Sequence, residues 1–200
     1  SLGNTDELYT FLYEFQFQSL SRLSFTVNNR YTYLFSPFDP TRTGGERLEA
    51  GTDYRNSFLG FRYIGNPRKA LFFTLRGDMG EYFTGNIKTL QGTMNWRLGY
   101  LANVSMNFSY NNIRLPEPQN SADLFLIGPR FDLTFSKDLF WTTFFQYNNQ
   151  IDNININTRI QWRYAPVSDF FVVYTDNYFP STFAPKQRAL IMKLNYWFNI

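Results

Sequence analysis

The chain has 200 residues, a fifth of them aromatic, and a formal net charge of only +3. It contains no cysteine and no histidine, which excludes disulfides, thiolate metal centres and the usual serine–histidine nucleophile. The charge is dispersed and no basic helix or RNP-like motif accompanies it, so nucleic acid is not an expected partner.

No apolar run reaches the roughly eighteen residues a membrane-spanning helix needs. Instead the chain shows a period of two, the signature of extended strands. Residues 7–20 form the first expected strand. Tyr9, Phe11, Tyr13, Phe15 and Phe17 make one aromatic face, with Thr10, Glu14, Gln16 and Gln18 opposite. A helix would scatter those rings around its circumference. Residues 23–35 return, with Phe25, Val27, Tyr31, Tyr33 and Phe35 against Ser24, Thr26, Asn28, Arg30 and Thr32. Residues 36–53 hold two prolines and several glycines and charges, and read as a loop.

Strands are then expected at 54–64, 71–82, 87–99 and 103–113. The last is the cleanest: Val104, Met106, Phe108 and Tyr110 alternate with Ser105, Asn107, Ser109 and Asn111. After a proline-rich loop at 115–123 comes 124–136, in which Pro129 lacks a ladder donor and predicts a bulge or a weak spot. Strands at 139–149 and 154–164 follow, then 169–178, whose faces the pattern leaves unassigned. The last expected strand, 188–200, sets Leu190, Met192, Leu194, Tyr196, Phe198 and Ile200 against Ala189, Ile191, Lys193, Asn195, Trp197 and Asn199.

These are about eleven strands, most long enough for a tilted crossing of a hydrocarbon core. Short turns alternate with mostly longer loops. The expected fold is all-β: an antiparallel transmembrane β-barrel of the bacterial outer membrane, with short turns and C-terminus periplasmic. Single-chain bacterial barrels normally have an even number of strands. Residues 1–200 are therefore expected to be the C-terminal portion of a larger barrel, with strands upstream of Ser1. A soluble β-sandwich shares the period, but its apolar face is built of Val, Leu and Ile, and here Phe, Tyr and Trp dominate.

If the polar face lines a lumen, it carries Arg30, Arg62, Arg76, Arg97, Arg130, Arg159, Arg163 and Lys193, with Glu14, Asp78 and Asp132 as acids. Such a wall concentrates anions or, read structurally, forms charge ladders that brace the sheet. Trp96, Trp141, Trp162, Tyr164, Tyr196 and Phe198 are expected to form an interfacial aromatic girdle, as is Trp197. A sugar-stacking platform is the other use for such rings. Asp39, Glu46, Glu49 and Asp53, or Asp152 with Asn153, offer oxygens to a hard cation, though without EF-hand spacing. Acidic loops of this kind are ordinarily just solvated, and no catalytic residue, metal or cofactor is expected.

Three stretches carry a resemblance: P-F-D-P-T-R-T-G-G at 37–45, F-F-Q-Y-N-N-Q-I-D-N at 144–153, and N-T-R-I-Q-W-R-Y-A-P-V-S-D-F-F-V-V-Y at 157–174. With the closing R-A-L-I-M-K-L-N-Y-W-F, the chain resembles the C-terminal barrel of Gram-negative outer-membrane proteins that carry an N-terminal carbohydrate-binding, family-nine-like domain. The resemblance implies a soluble N-terminal domain outside this sequence, where any carbohydrate role would mostly reside. The expected function is non-enzymatic: membrane anchor, or assembly and binding component of a larger chain or complex. The alternative is a porin-like channel for small anionic or saccharide solutes. Expected partners are outer-membrane lipids and lipopolysaccharide, other outer-membrane proteins, and saccharides.

Overall fold

The computed structural model describes residues 4–198, and no helix occurs among them. Eleven strands form one antiparallel sheet in sequence order. They are β1 (Asp6–Gln16), β2 (Arg22–Tyr33), β3 (Asp53–Ile64), β4 (Leu71–Tyr82), β5 (Gly85–Leu98), β6 (Ala102–Arg114), β7 (Ala122–Thr134), β8 (Leu139–Asn148), β9 (Asn153–Ala165), β10 (Ser168–Tyr178) and β11 (Pro185–Leu194). Each strand bonds only its sequence neighbours, so β1 and β11 are the two edges and the sheet is not closed.

The largest differences from the expected strand ends fall on β1 and β11. β1 stops at Gln16 because the chain turns at Phe17: Leu20 takes a φ of 66° and its N–H donates to the Phe17 carbonyl at 2.9 Å. β11 begins at Pro185 and stops at Leu194. Beyond it, Asn195 N–H still reaches the Asp169 carbonyl at 2.9 Å and Trp197 N–H reaches Ser168 Oγ at 3.1 Å. The neighbouring β10 starts at Ser168, so no further ladder partner exists. Asn199 and Ile200 lie outside the described residues. At Pro129 the β7–β8 ladder skips a step, but Ile127↔Tyr147 and Arg130↔Phe144 keep one register, so the site is a gap without a bulge. The missing proline N–H explains the gap.

The chain groups into two compact units: Ser1–Asn66, Phe73–Gly92 and Ser109–Leu124, and Pro67–Phe72, Thr93–Phe108 and Phe125–Ile200. In the first, register carries the sequence alternation across strands. Glu14, Ser24, Arg62 and Arg76 form one row of one face, and Leu12, Thr26, Gly60 and Asp78 the next. On the opposite face run Tyr13, Phe25, Phe61 and Gly77, then Phe11, Val27, Leu59 and Met79. Gly77 leaves room for its partner's ring, since a Cβ there would lie 2.3 Å from Phe61 Cε1.

The burial of these faces is inverted relative to a water-soluble domain. Phe11 is 69% and Leu59 54% exposed, whereas Ser24 and Asn28 on the polar face are 8% and 7% exposed. Among the described residues the buried apolar side chains are Leu34, Leu48, Ile113 and Leu115, which sit in loops or at a strand end rather than in strand centres.

In the second unit, Leu139, Trp162, Phe170 and Leu194 form one row and Trp141, Ile160, Val172 and Met192 the next. Leu194, Met192, Trp162 and Ile160 are again exposed. The other face carries Asp132, Thr142, Arg159, Val173 and Ile191 in one row, and Thr134, Phe140, Gln161, Phe171 and Lys193 in another. Its polarity therefore fades toward β10 and β11. Register shifts at Ser168/Asp169 and Asn177/Tyr178 bend the ends of β10.

Candidate functional site

The polar face of the first unit is the most built surface of the molecule. β2, β3 and β4 bring Arg30, Arg62 and Arg76 to one recess of about 290 Å³, together with Glu14, Asp78 and Phe58. Arg76 Nε donates to Asp78 Oδ2 at 2.9 Å, and Thr89 Oγ1 donates to the same oxygen at 3.4 Å. Glu14 accepts from Ser24 Oγ at 3.0 Å, and Thr10 Oγ1 donates to Asn28 Oδ1 at 2.9 Å. Arg30 lies over the Phe58 ring, 5.5 Å from its centroid. Gly60 keeps the floor open: a Cβ would come within 2.5 Å of Thr26 Oγ1 and 2.6 Å of Asp78 Oδ1.

In the second unit the charges are more fully matched. Arg130 grips Asp132 through Nε and Nη2, at 3.0 and 2.9 Å, and Thr142 Oγ1 adds a bond at 2.8 Å. Arg163 lies 3.4 Å from Asp169, which also accepts from Gln161 at 3.1 Å. Asn155 and Asn153 both donate to Asn177, and Asn157 donates to Thr175. These are side-chain ladders that tie strand to strand. Arg97 instead directs Nη2 at the carbonyls of Pro67 and Lys69, both at 2.7 Å, and so clasps a turn. Arg159 and Lys193 share the face but form no ion pair among the described residues.

The aromatic set gathers at one end of the strands of this unit. Trp96 lies near the end of β5, Trp141 near the start of β8, Trp162 and Tyr164 near the end of β9, and Tyr196 and Phe198 just past β11. All of these ends carry the connections that follow odd-numbered strands, or lie beside them. Tyr164 donates to the Asn195 carbonyl at 2.9 Å, which ties two of these segments together.

Two sites escape sequence reading. In residues 34–52, Asp39 Oδ1 accepts from Thr41 N–H and Oγ1 at 2.8 and 2.7 Å, and Oδ2 accepts from Gly44 and Gly45 N–H at 2.9 and 3.2 Å. Burial raises the carboxyl's pKa, but the Thr41 hydroxyl and the N–H groups of Thr41, Gly44 and Arg42 outweigh it and hold the pKa at about 2. Phe38 and Leu48 bridge, and Tyr82 donates to the Pro40 carbonyl at 3.2 Å, which seats the loop on β4. Asp39 thus organises its own turn and has no free oxygen for a cation. Asp152 likewise sits in a turn, with its carbonyl accepting from Lys186 Nζ. Among the described residues no group of three acidic, His or Cys side chains could hold a metal. The D-x-T-x-T-G-G spacing is the signal that would have found the Asp39 turn.

The second is Asp176, whose residue number puts it on the apolar face of β10, between Ile156 and Arg188. It is 0% exposed. Its Oδ2 accepts from Tyr174 and Tyr178 hydroxyls, each at 2.5 Å, and from Arg188 Nε at 2.7 Å. Oδ1 is buried without a partner. Tyr174, Asp176 and Tyr178 stand two residues apart, so the period-two spacing was visible, but the apolar run Phe170 to Val173 hid which face they share.

No protein-family model matches this chain, and no curated protein or solved structure matches it either.

Proposed function

We propose that this chain is part of a transmembrane β-barrel of the bacterial outer membrane, and that its role is non-enzymatic: a membrane anchor, or an assembly and binding component of a larger chain or complex. The observation that carries this reading is the inverted burial, with aromatic and aliphatic rows exposed and hydroxyl and amide side chains of the opposite face, such as Ser24 and Asn28, buried. Water penalises such a surface, and lipid favours it. The open edges fit the same reading. An unpaired strand edge cannot face hydrocarbon, because its N–H and C=O groups have no partner there. Antiparallel neighbours alternate in direction, so β1 and β11, both odd, run in the same sense. Ordinary antiparallel closure needs an odd number of further strands, supplied by the same chain or by a partner.

Connections after odd strands are short, as periplasmic turns are, which supports a periplasmic end for β11. The terminal aromatics then serve as the girdle on that side. The anchor is preferred to the pore because Arg76, Arg130 and Arg163 are matched by Asp78, Asp132 and Asp169 within the sheet. Two measurements test the proposal. Fractionation is expected to recover the protein with outer membranes, resistant to carbonate, and a soluble detergent-free monomer would refute the membrane reading. In planar bilayers the full-length protein is expected to pass no steady current, and a stable conductance would replace the anchor by the pore.

A further inference from the structure

We infer that the polar-face recess of the first unit binds a small dicarboxylate, bridged by the cross-strand arginine pair Arg62 and Arg76, with Arg30 entering the same recess.

Arg62 and Arg76 are direct register partners on β3 and β4, which sets their Cβ atoms roughly 5 Å apart. Like charges placed opposite each other in a sheet repel, and a pairing of this kind calls for an anion between them. The described residues supply none to Arg62. Asp78 takes Arg76 through Nε alone and is shared with Thr89. Glu14, in the same row, is held by Ser24 and forms no ion pair with Arg62 among the described residues. The recess holds three guanidinium groups against two carboxylates, an excess of one positive charge.

Guanidinium forks match the planar, two-oxygen geometry of a carboxylate. Phe58 supplies an apolar wall for a carbon backbone, with Arg30 over that ring, 5.5 Å from its centroid, and the facing guanidinium groups of Arg62 and Arg76 take the two acidic groups. At about 30 Å³ per liquid water, 290 Å³ admits roughly ten non-hydrogen atoms. That fits a four- or five-carbon diacid. The binding does not depend on whether the sheet anchors or conducts, because it is read on folded protein in detergent.

The test is titration calorimetry of the full-length protein in detergent, at fixed ionic strength, with succinate as probe and acetate and inorganic phosphate as comparators. Folding of every variant is checked by heat-modifiable gel mobility. Succinate is expected to bind saturably and at least about tenfold more tightly than acetate. Arg62→Gln, whose side chain forms no hydrogen bond or ion pair in the described structure, is expected to weaken succinate by about tenfold or more, and Arg76→Gln likewise. Lys88→Gln, on the apolar face of β5, leaves binding unchanged. No saturable succinate binding by folded wild-type protein overturns the site. Equal affinity in folded Arg62→Gln overturns the arginine bridge. Phosphate binding more tightly than succinate overturns the choice of a carbon-backboned ligand.

Discussion

Leu59→Arg tests the inverted surface most directly. Leu59 is the seventh of the twelve residues of β3. Twelve residues at about 3.3 Å each give a strand of roughly 40 Å, and a tilt of about 40° reduces its height to roughly 30 Å, the thickness of a hydrocarbon core. Leu59 therefore stands close to the middle of that thickness, between Val27 and Met79, both exposed on the same face. The native chain does place cations on this face, at Arg55, near the strand end and 3.4 Å from Glu7, and at Lys88, whose long flexible stem lines a recess with Leu59 and Met79. In lipid, an outward arginine at mid-depth costs about 2–4 kcal/mol, falling to about 0–1 kcal/mol near the interface. On a water-exposed surface the same change costs no more than about 0.5 kcal/mol. Reversible urea unfolding in lipid vesicles, followed by tryptophan fluorescence, separates these values. A variant within about 0.5 kcal/mol of wild type would refute the assignment of this face to lipid.

Asp39→Asn is expected to loosen residues 34–52 by about 1–3 kcal/mol, since the carboxylate accepts four hydrogen bonds there, and trypsin should then cut after Arg42 or Arg47 faster than in wild type. Because the folded pKa of Asp39, about 2, lies below its ordinary value of 3.8, its stabilisation is present above pH 4 or so and fades as pH falls toward 2. Amide exchange at Thr41 and Gly44 should therefore accelerate over that window, and a flat profile would speak against the carboxylate's role. Arg188→Ala leaves buried Asp176 with only its tyrosine donors and is expected to cost about 1–3 kcal/mol in urea unfolding. Asp176→Asn with Arg188→Gln should cost less than Arg188→Ala alone, and the opposite order would mean that the charges are not coupled. Gly77→Ala drives a methyl into the Phe61 ring and should cost about 1–3 kcal/mol, partly recovered by Phe61→Leu.

Strand identity was legible because alternation is a local property of sequence: side-chain parity marks most of the eleven strands, and the turn residues between them bound the rest. The faces of β10 were not, because Phe170 to Val173 is apolar on both sides, and only register with Arg159 and Gln161 separates them. Strand ends depend on which neighbour remains to be bonded: β11 pairs as far as Leu194 with Phe170, close to the start of β10 at Ser168. The basic residues could be listed from sequence, but their partners could not. Arg130 meets Asp132 two residues away on its own strand, whereas Arg62 meets Arg76 only through cross-strand register. The buried Asp176 was hidden because its position in the strand gives no hint of which donors lie across the ladder.

Pairing confined to sequence neighbours has a kinetic consequence. Every seam but one closes a short loop, the longest being residues 34–52 between β2 and β3. Such local contacts form early and at low entropic cost, and each extra strand repeats the same step. Folding of this sheet should therefore proceed as a chain of hairpins, with the β2–β3 seam across residues 34–52 as the costliest closure among the described strands.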